Sequence, residues 1–186
     1  MQGTVPGNIK AVPVTAGGDP AVDFSTLYRL HASRVRSLVY RMCGEQDLDD
    51  LVQEVFIRIW RSLKGFRSEA RQETWIWKIA LNVCRDELRR RHPWWRLYRE
   101  QDDRPERMPA PAEEEPDPKA AALRRAMNRL DYRSRAVLAL HYFEEHDLQE
   151  TARILEVPVG TVKSRLHHGR RKLKALLRRE GVEVNP

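Results

Sequence analysis

From Phe24 onward, apolar side chains recur at three- and four-residue steps, and no stretch shows the two-residue alternation of a strand. Phe24, Leu27, Tyr28, Val35, Leu38, Val39 and Met42 mark a first helix, which Gly44 ends. Leu48, Leu51, Val52, Val55, Phe56, Ile59 and Leu63 mark a second, with Asp47 as its expected N-cap. The opposite face of that helix carries Asp49, Asp50, Gln53, Glu54, Arg58 and Arg61. "KGFRSEARQET" (64–74) reads as a loop. A third helix, "WIWKIALNVCRDELRRRH", is expected to bury Ile76, Ile79, Ala80, Val83 and Leu88 and to stop before Pro93. After Lys119 the same periodicity predicts four more helices. Leu123, Met127 and Leu130 mark one, Val137, Leu138 and Tyr142 the next, and Leu148, Ala152 and Leu155 a short third. The last runs from near Val159 to about Arg179. The pattern predicts an all-α protein.

Two stretches break the pattern. Residues 1–22 carry Gly3, Gly7, Gly17, Gly18, Pro6, Pro13 and Pro20 and read as a flexible N-terminal arm. "YREQDDRPERMPAPAEEEPDPK" holds five of the eleven prolines and most of an acidic run, the composition of an extended, self-repelling linker. A mean hydropathy of −0.67 and 33% charged residues leave little apolar surface, which favours two compact helical units over one large core. No run approaches the roughly 18 apolar residues of a membrane span, and the N-terminus lacks the basic-then-apolar order of a secretory signal. A cytoplasmic protein is expected. Cys43 and Cys84 fall in apolar helical patterns with no CxxC or His/Cys cluster, so buried reduced thiols are expected rather than a disulfide or metal site.

The net charge of +7 favours a polyanionic partner, and its distribution says more than the sum. Residues 161–180 hold eight Lys and Arg against the single acid Glu180, whereas residues 100–118 hold eight acids against Arg104 and Arg107. "DLQETARILEVPVGTVKSRLHHGRRKL" has the grammar of a helix-turn-helix: a short helix, a tight turn at Glu156–Pro158, and a second helix. Pro158 is tolerated in the turn or at the very start of that helix. Val162, Leu166, Leu173 and Leu176 face the domain, which leaves Lys163, Ser164, Arg165, His167, His168, Arg170 and Arg171 for bases and phosphates. Thr161 offers its hydroxyl and free first-turn amides to a phosphate. The competing account is a basic helix that only keeps the protein soluble. It suits "KALLRRE" alone and fails to explain the whole turn-plus-helix pattern.

"PVGTVKSRLHHGRRKL" resembles the region 4 signature of bacterial sigma factors of the extracytoplasmic-function (ECF) group. "DLDDLVQEVFIRIWRSLKGFRSE" is similar to region 2.1 to 2.2 of that family, and "TWIWKIALNVCRDELRRR" to region 2.3 to 2.4. The resemblance implies region 2 over residues 23–95, a linker at 96–118, region 4 over 119–180 and a tail at 181–186. It also implies an alternative sigma factor that binds core RNA polymerase and directs promoter-specific initiation. Asp50, Gln53, Glu54 and Arg58 would dock on the clamp helices of the polymerase's largest subunit, and region 4 on its flap. The minus-10 strand would be melted and read by Arg67, Ser68, Glu69, Trp75, Trp77, Lys78, Asn82, Arg85 and Arg89, and the minus-35 element by the 161–171 set. Stacking, backbone amides and polar side chains suit flipped bases. Trp75 reads as mostly core; Trp77 stays open between a wedge against the duplex and a packed anchor.

The family also implies an anti-sigma factor as partner, which could hold the protein at the inner membrane face. In addition, it implies a linker whose Glu113, Glu114, Glu115 and Asp117 stand in for RNA, although spacer solubility explains these acids equally well. Departures fall at Glu156, where glycine is usual, at His168 and Gly169 in the recognition helix, and at Gln72 and Glu73. Glu156 predicts either a looser turn or a different backbone conformation. No cofactor, metal site or catalytic residue is expected, because the chain lacks clustered carboxylates, a phosphate-binding glycine loop and a nucleophile elbow. The alternative is an autonomous helix-turn-helix regulator that binds duplex DNA without polymerase; such a protein has no need of the region 2 block.

Overall fold

A computed structural model of the chain describes residues 23–63, 72–91 and 117–182. The expectations for the arm, for Arg67, Ser68 and Glu69, and for Glu113, Glu114 and Glu115 lie outside the described residues. Among the described residues every regular element is helical. Three long helices, α1 (Phe24–Cys43), α2 (Leu48–Ser62) and α3 (Gln72–Arg91), pack pairwise into a bundle. Val35, Leu38, Val39, Met42, Val55, Ile59, Ile76, Ala80 and Cys84 lie within it, each at most 0% exposed. The second unit contains α4 (Pro118–Asn128), α5 (Tyr132–Leu138), α6 (Leu148–Leu155) and α7 (Val159–Arg179), with Met127, Leu130, Val137, Leu138, Val162 and Leu176 at its centre.

Local chemistry sets the helix starts. Asp23, Asp117, Asp131 and Asp147 each accept a backbone N–H of the first turn, at 2.7–3.2 Å, in α1, α4, α5 and α6. Asp117, one of the acids expected to imitate RNA, is therefore occupied as a helix cap, bonded to the Lys119 N–H at 2.9 Å. Asp47 departs from its expected role: it sits in the left-handed region at φ 57 and makes no side-chain cap bond. Arg91 draws its carboxylate instead, at 3.4 Å, so α2 starts on geometry rather than on a cap. Helix α3 begins at Gln72, which moves Gln72, Glu73 and Thr74 from the expected loop into the helix. Ile79, expected in the core, is only half-buried. Helix α5 passes into a π-helical turn, Ala139–Phe143, an arrangement frequent at functional sites.

The two units meet along an apolar seam. Ala136, Ala139, Leu140 and Ile154 of the second unit belong to the core of the first, and Leu155 packs on both cores. Arg135, 0% exposed, crosses this seam. Its Nη1 donates to Met42 O at 2.6 Å, and its Nη2 to Asn128 O at 2.6 Å and Leu130 O at 3.0 Å. One guanidinium thus satisfies carbonyls at the C-terminal ends of α1 and α4, where no intrahelical donor remains. Arg91 does the same for Cys43 O at 3.0 Å. Tyr132 donates its hydroxyl to Leu81 O across the seam at 2.8 Å. Burial pushes that phenol far above its usual range, so it remains a donor.

Candidate nucleic-acid and polymerase interfaces

The helix-turn-helix places α7 with one face inward. Val162, Leu166, Gly169 and Leu176 are buried, and the turn is closed by Val157 N–H to Ala152 O at 3.1 Å. That burial leaves Lys163, Ser164, His167, His168, Arg170 and Arg171 exposed, with Thr161 and Arg165 half-buried at the edge. The outward face is a cationic strip about 15 Å long over residues 161–171, at about 1.5 Å per residue. The Thr161 amide donates to Pro158 O at 2.9 Å, so it is not the free amide the sequence suggested; its hydroxyl remains to meet a phosphate. Pro158 stands as the N-cap residue, where its missing N–H costs no bond.

Two of the three departures in this element have structural explanations. Glu156 adopts φ 55, ψ 45, the left-handed conformation a glycine would take, so the turn keeps its shape with a non-glycine residue in it. The carboxylate then reaches Lys78 Nζ at 2.9 Å. Gly169 is not a base-reading position. A Cβ there would lie 3.2 Å from Leu138 Cδ1 and 3.3 Å from Ser134 Cβ, so glycine lets α7 lie close against α5. His168 does face outward, its ring 5.6 Å from that of His167.

On α3, Lys78, Asn82, Arg85 and Arg89 follow one another at four-, three- and four-residue steps and share a face. Asn82 and Arg89 are exposed; Lys78 and Arg85 are half-buried. Trp75 is half-buried against the first core, as expected. Trp77 is a correction to the expected minus-10 set. Its ring is 0% exposed, beneath the Arg34 guanidinium at 5.0 Å and the His146 ring at 5.8 Å, so it is the packed anchor and not a surface wedge in this arrangement. It falls on the inward side of the stripe because five positions separate it from Asn82, about 140° around the helix.

On α2, Asp50 and Gln53 are exposed, while Glu54 and Arg58 are half-buried and joined to each other at 2.7 Å. Arg58 also reaches Asp86 of α3 at 3.0 Å; these partners, Glu54 first, hold its proton more firmly than usual. Seven residues beyond Gln53, on the same face, Trp60 is 60% exposed. Periodicity alone missed it, because a tryptophan in an apolar run reads as core; its offset from the Leu51–Val55–Ile59 stripe is the available signal.

Sequence reading also missed the contacts between the units. Glu144, its side chain 3% exposed, accepts from Arg34 Nε at 3.1 Å and lies 3.9 Å from Arg41. Arg34 also donates to Glu144 O at 3.2 Å and pairs with Glu73. The Arg41 guanidinium covers the Phe143 ring at 4.3 Å. Cys43 and Cys84, distant in sequence, are neighbours in the first core, with Cys43 Sγ 3.8 Å from Cys84 O. The Cys43 thiol and burial push the Cys84 thiol well up, so Cys84 is not a poised nucleophile. Among the described residues no group of His, Cys, Asp and Glu could hold a metal ion, and no helix is long and apolar enough to cross a membrane.

A helix-turn-helix with an outward basic strip is thus joined to a helical bundle that carries its own cationic stripe. The sigma-70 region 2 family matches residues 27–93, and the sigma-70 region 4 family matches residues 120–173. The chain is 35% identical over 180 residues to the ECF RNA polymerase sigma factor SigE of Mycolicibacterium smegmatis, covering 91% of this chain and 68% of that protein. It is 30% identical over 167 residues to SigW of Bacillus subtilis, covering 83% and 89%. Among solved structures, CnrH in complex with the cytosolic domain of CnrY superposes with a TM-score of 0.61 at 26% identity, over 84% of this chain and 88% of that one. The sigma factor RpoE of Bartonella quintana, bound to the anti-sigma factor NepR, shares the fold at a TM-score of 0.65 and 21% identity, over 84% and 97%. The chain belongs to the ECF RNA polymerase sigma factors, and it is an alternative sigma factor that directs transcription initiation.

Proposed function

We propose that α7 reads the minus-35 element in duplex DNA, and that α3 with the preceding loop holds the melted minus-10 strand. The observation that carries this reading is the pair of outward cationic faces, one on each unit. Early positions of α7, Lys163, Ser164 and His167, enter the major groove, while Arg170 and Arg171 grip phosphates. On α3, Asn82 supplies a donor and an acceptor for the edge of an unstacked base, and Lys78, Arg85 and Arg89 track its backbone. Region 2 then occupies residues 23–95 and region 4 residues 119–180. The protein performs no chemical step of its own; it places a polymerase.

The α2 face of Asp50, Gln53, Glu54 and Arg58 docks on the clamp helices of the largest subunit, with Trp60 as its apolar anchor. Large aromatic side chains at a contact centre carry much of a protein–protein affinity. Region 4 meets the flap, and an anti-sigma factor, as in the complexes of CnrH and of the Bartonella RpoE, holds the protein in reserve. Permanganate footprinting on a promoter bound by core polymerase tests the division of labour. Asn82→Ala is expected to recruit polymerase but lose strand opening at minus-10. Arg171→Ala is expected to weaken recruitment on all sequences and reduce its salt dependence by about one phosphate contact. Opening that survives Asn82→Ala unchanged contradicts the assignment of α3.

A further inference from the structure

We propose that His167 and His168 are proton-dependent base readers: the imidazole pair takes up a proton as duplex DNA binds, and the charged pair selects guanine in the minus-35 element. The inference rests on the reading of α7 as the minus-35 helix and goes beyond it in naming what sets base choice.

Ser164, His167, His168 and Arg171 follow one another at three-, one- and three-residue steps, so they share the side of α7 opposite Val162, Leu166, Gly169 and Leu176. All four are exposed, while the opposite four are buried. The two imidazoles stand midway along this outward side, edge to face, with ring centroids 5.6 Å apart. Apart from each other, neither has a hydrogen-bond or ion-pair partner among the described residues. Their ring nitrogens are left for water or a ligand.

The charge around the pair is of one sign. On α7 itself, Lys163, Arg165, Arg170, Arg171 and Lys172 all lie within four positions of one ring or the other. Helices α4, α5 and α6 pack against α7, and their exposed or half-buried cations, Arg124, Arg125, Arg129, Arg133 and Arg153, add to the same sign. The carboxylates of these elements are engaged elsewhere. Asp117, Asp131 and Asp147 cap helix starts. Glu150 holds His146 at 3.2 Å and Glu156 holds Lys78 at 2.9 Å. Glu180, about 18 Å farther along α7, holds Arg125 at 2.9 Å. A proton on either ring therefore meets only like charge within the chain, and the phosphates and base acceptors of a duplex supply the opposite. Two charged rings this close repel, so the pair takes up about one proton as DNA binds.

Lys and Arg keep their charge throughout the physiological range, whereas an imidazole changes its charge between about pH 5 and 8. Two histidines in the middle of the strip thus make part of its charge conditional. The proton also changes what is read. A neutral ring presents one donor and one acceptor, and a charged ring presents two donors. In the major groove guanine shows two acceptors, N7 and O6, while adenine and cytosine each show an amino donor. The charged ring matches guanine and is mismatched to the amino groups; the neutral ring discriminates less. Where only the charged pair reads guanine, apparent affinity follows its population, and for an ordinary imidazole that population rises about eightfold from pH 7.5 to pH 6.0.

The test uses the full chain assembled with core polymerase and a library of duplexes randomised across both promoter elements. Bound DNA is sequenced after selection at about pH 6.0 and at about pH 7.5. Wild type is expected to enrich guanine at one minus-35 position about eightfold more at the lower pH. The double variant His167→Gln, His168→Gln carries amides that never charge, and it is expected to lose the difference between the two conditions. His168→Arg, charged at both, is expected to keep guanine at both. All these positions are exposed, and circular dichroism checks that each variant is folded. A wild-type preference that is the same at both pH values, or a pH difference that survives in the double variant, overturns the proton-dependent reading alone when Ser164→Ala and Arg171→Ala still alter minus-35 selection. Minus-35 selection that no substitution in α7 alters overturns the reading of α7 beneath it.

Discussion

Arg135 is the residue on which most of the architecture converges. Its guanidinium is fully buried and donates to three carbonyls: Met42 O on one unit, Asn128 O and Leu130 O on the other. Such a group is costly to desolvate and worse to remove, because its loss orphans acceptors at two helix ends. Arg135→Met, which keeps length and loses the donors, is expected to lower stability by about 3 kcal/mol, read as a fall in the urea midpoint without a change of slope. A change below about 0.5 kcal/mol, the range of ordinary surface substitutions, contradicts this role. The residue was hidden in sequence because "YRSRAVLAL" shows two cations in an apolar run and does not reveal which one turns inward. Gly169, noted in the sequence only as a departure, was hidden for a related reason: tertiary packing alone shows that it faces Leu138 and Ser134.

Among the elements, the apolar periodicity maps directly onto helices. The seven helices and the helix-turn-helix were legible, since their apolar stripes repeat a simple geometry; the aspartate caps were not, for the one expected, Asp47, makes no side-chain cap bond. What was not legible is how one element leans on another. The π-helical turn at Ala139–Phe143 and the left-handed Glu145 that follows have no periodic signature, yet they aim Glu144 at Arg34 and Arg41. Trp77 likewise has a neutral signature in sequence and is decided by His146, 69 positions later along the chain.

The Glu144 contact makes a pH prediction. Burial pushes this carboxyl above its usual range, against the opposing pull of Arg34, Arg41 and His146, with Glu73 sharing Arg34 from α3. A carboxyl raised on folding takes up a proton, so its contribution is fully present below its unfolded value, about 4.3, and declines as pH rises through its folded one. Glu87 acts in the opposite sense. Burial raises it, Arg90 and Arg91 outweigh that, and it sits below its usual range, so its contribution is lost as pH falls. Glu144→Gln is expected to gain on wild type in urea midpoint as pH rises from about 4.3, because glutamine never has to be deprotonated in the buried site. Parallel curves across that window contradict it.

In the whole molecule, two helical units share an apolar seam, and the α2 face that carries Asp50, Gln53 and Trp60 stays exposed. The sequence conveyed the two units, their order and their charge segregation; the seam had to be seen, because its residues look like ordinary core positions of each unit separately. Of the acids in the linker, Asp117 has a structural role in the fold: it caps α4.

Run-off transcription tests the two-part promoter reading most directly: core polymerase, with and without the protein, on a template carrying a matched minus-35 and minus-10 pair and on templates with either element scrambled. The account predicts specific initiation only when both the protein and core polymerase are present, lost when minus-10 is scrambled and reduced when minus-35 is. Tight duplex binding by the protein alone, with no gain in specific initiation when core polymerase is added, would contradict it.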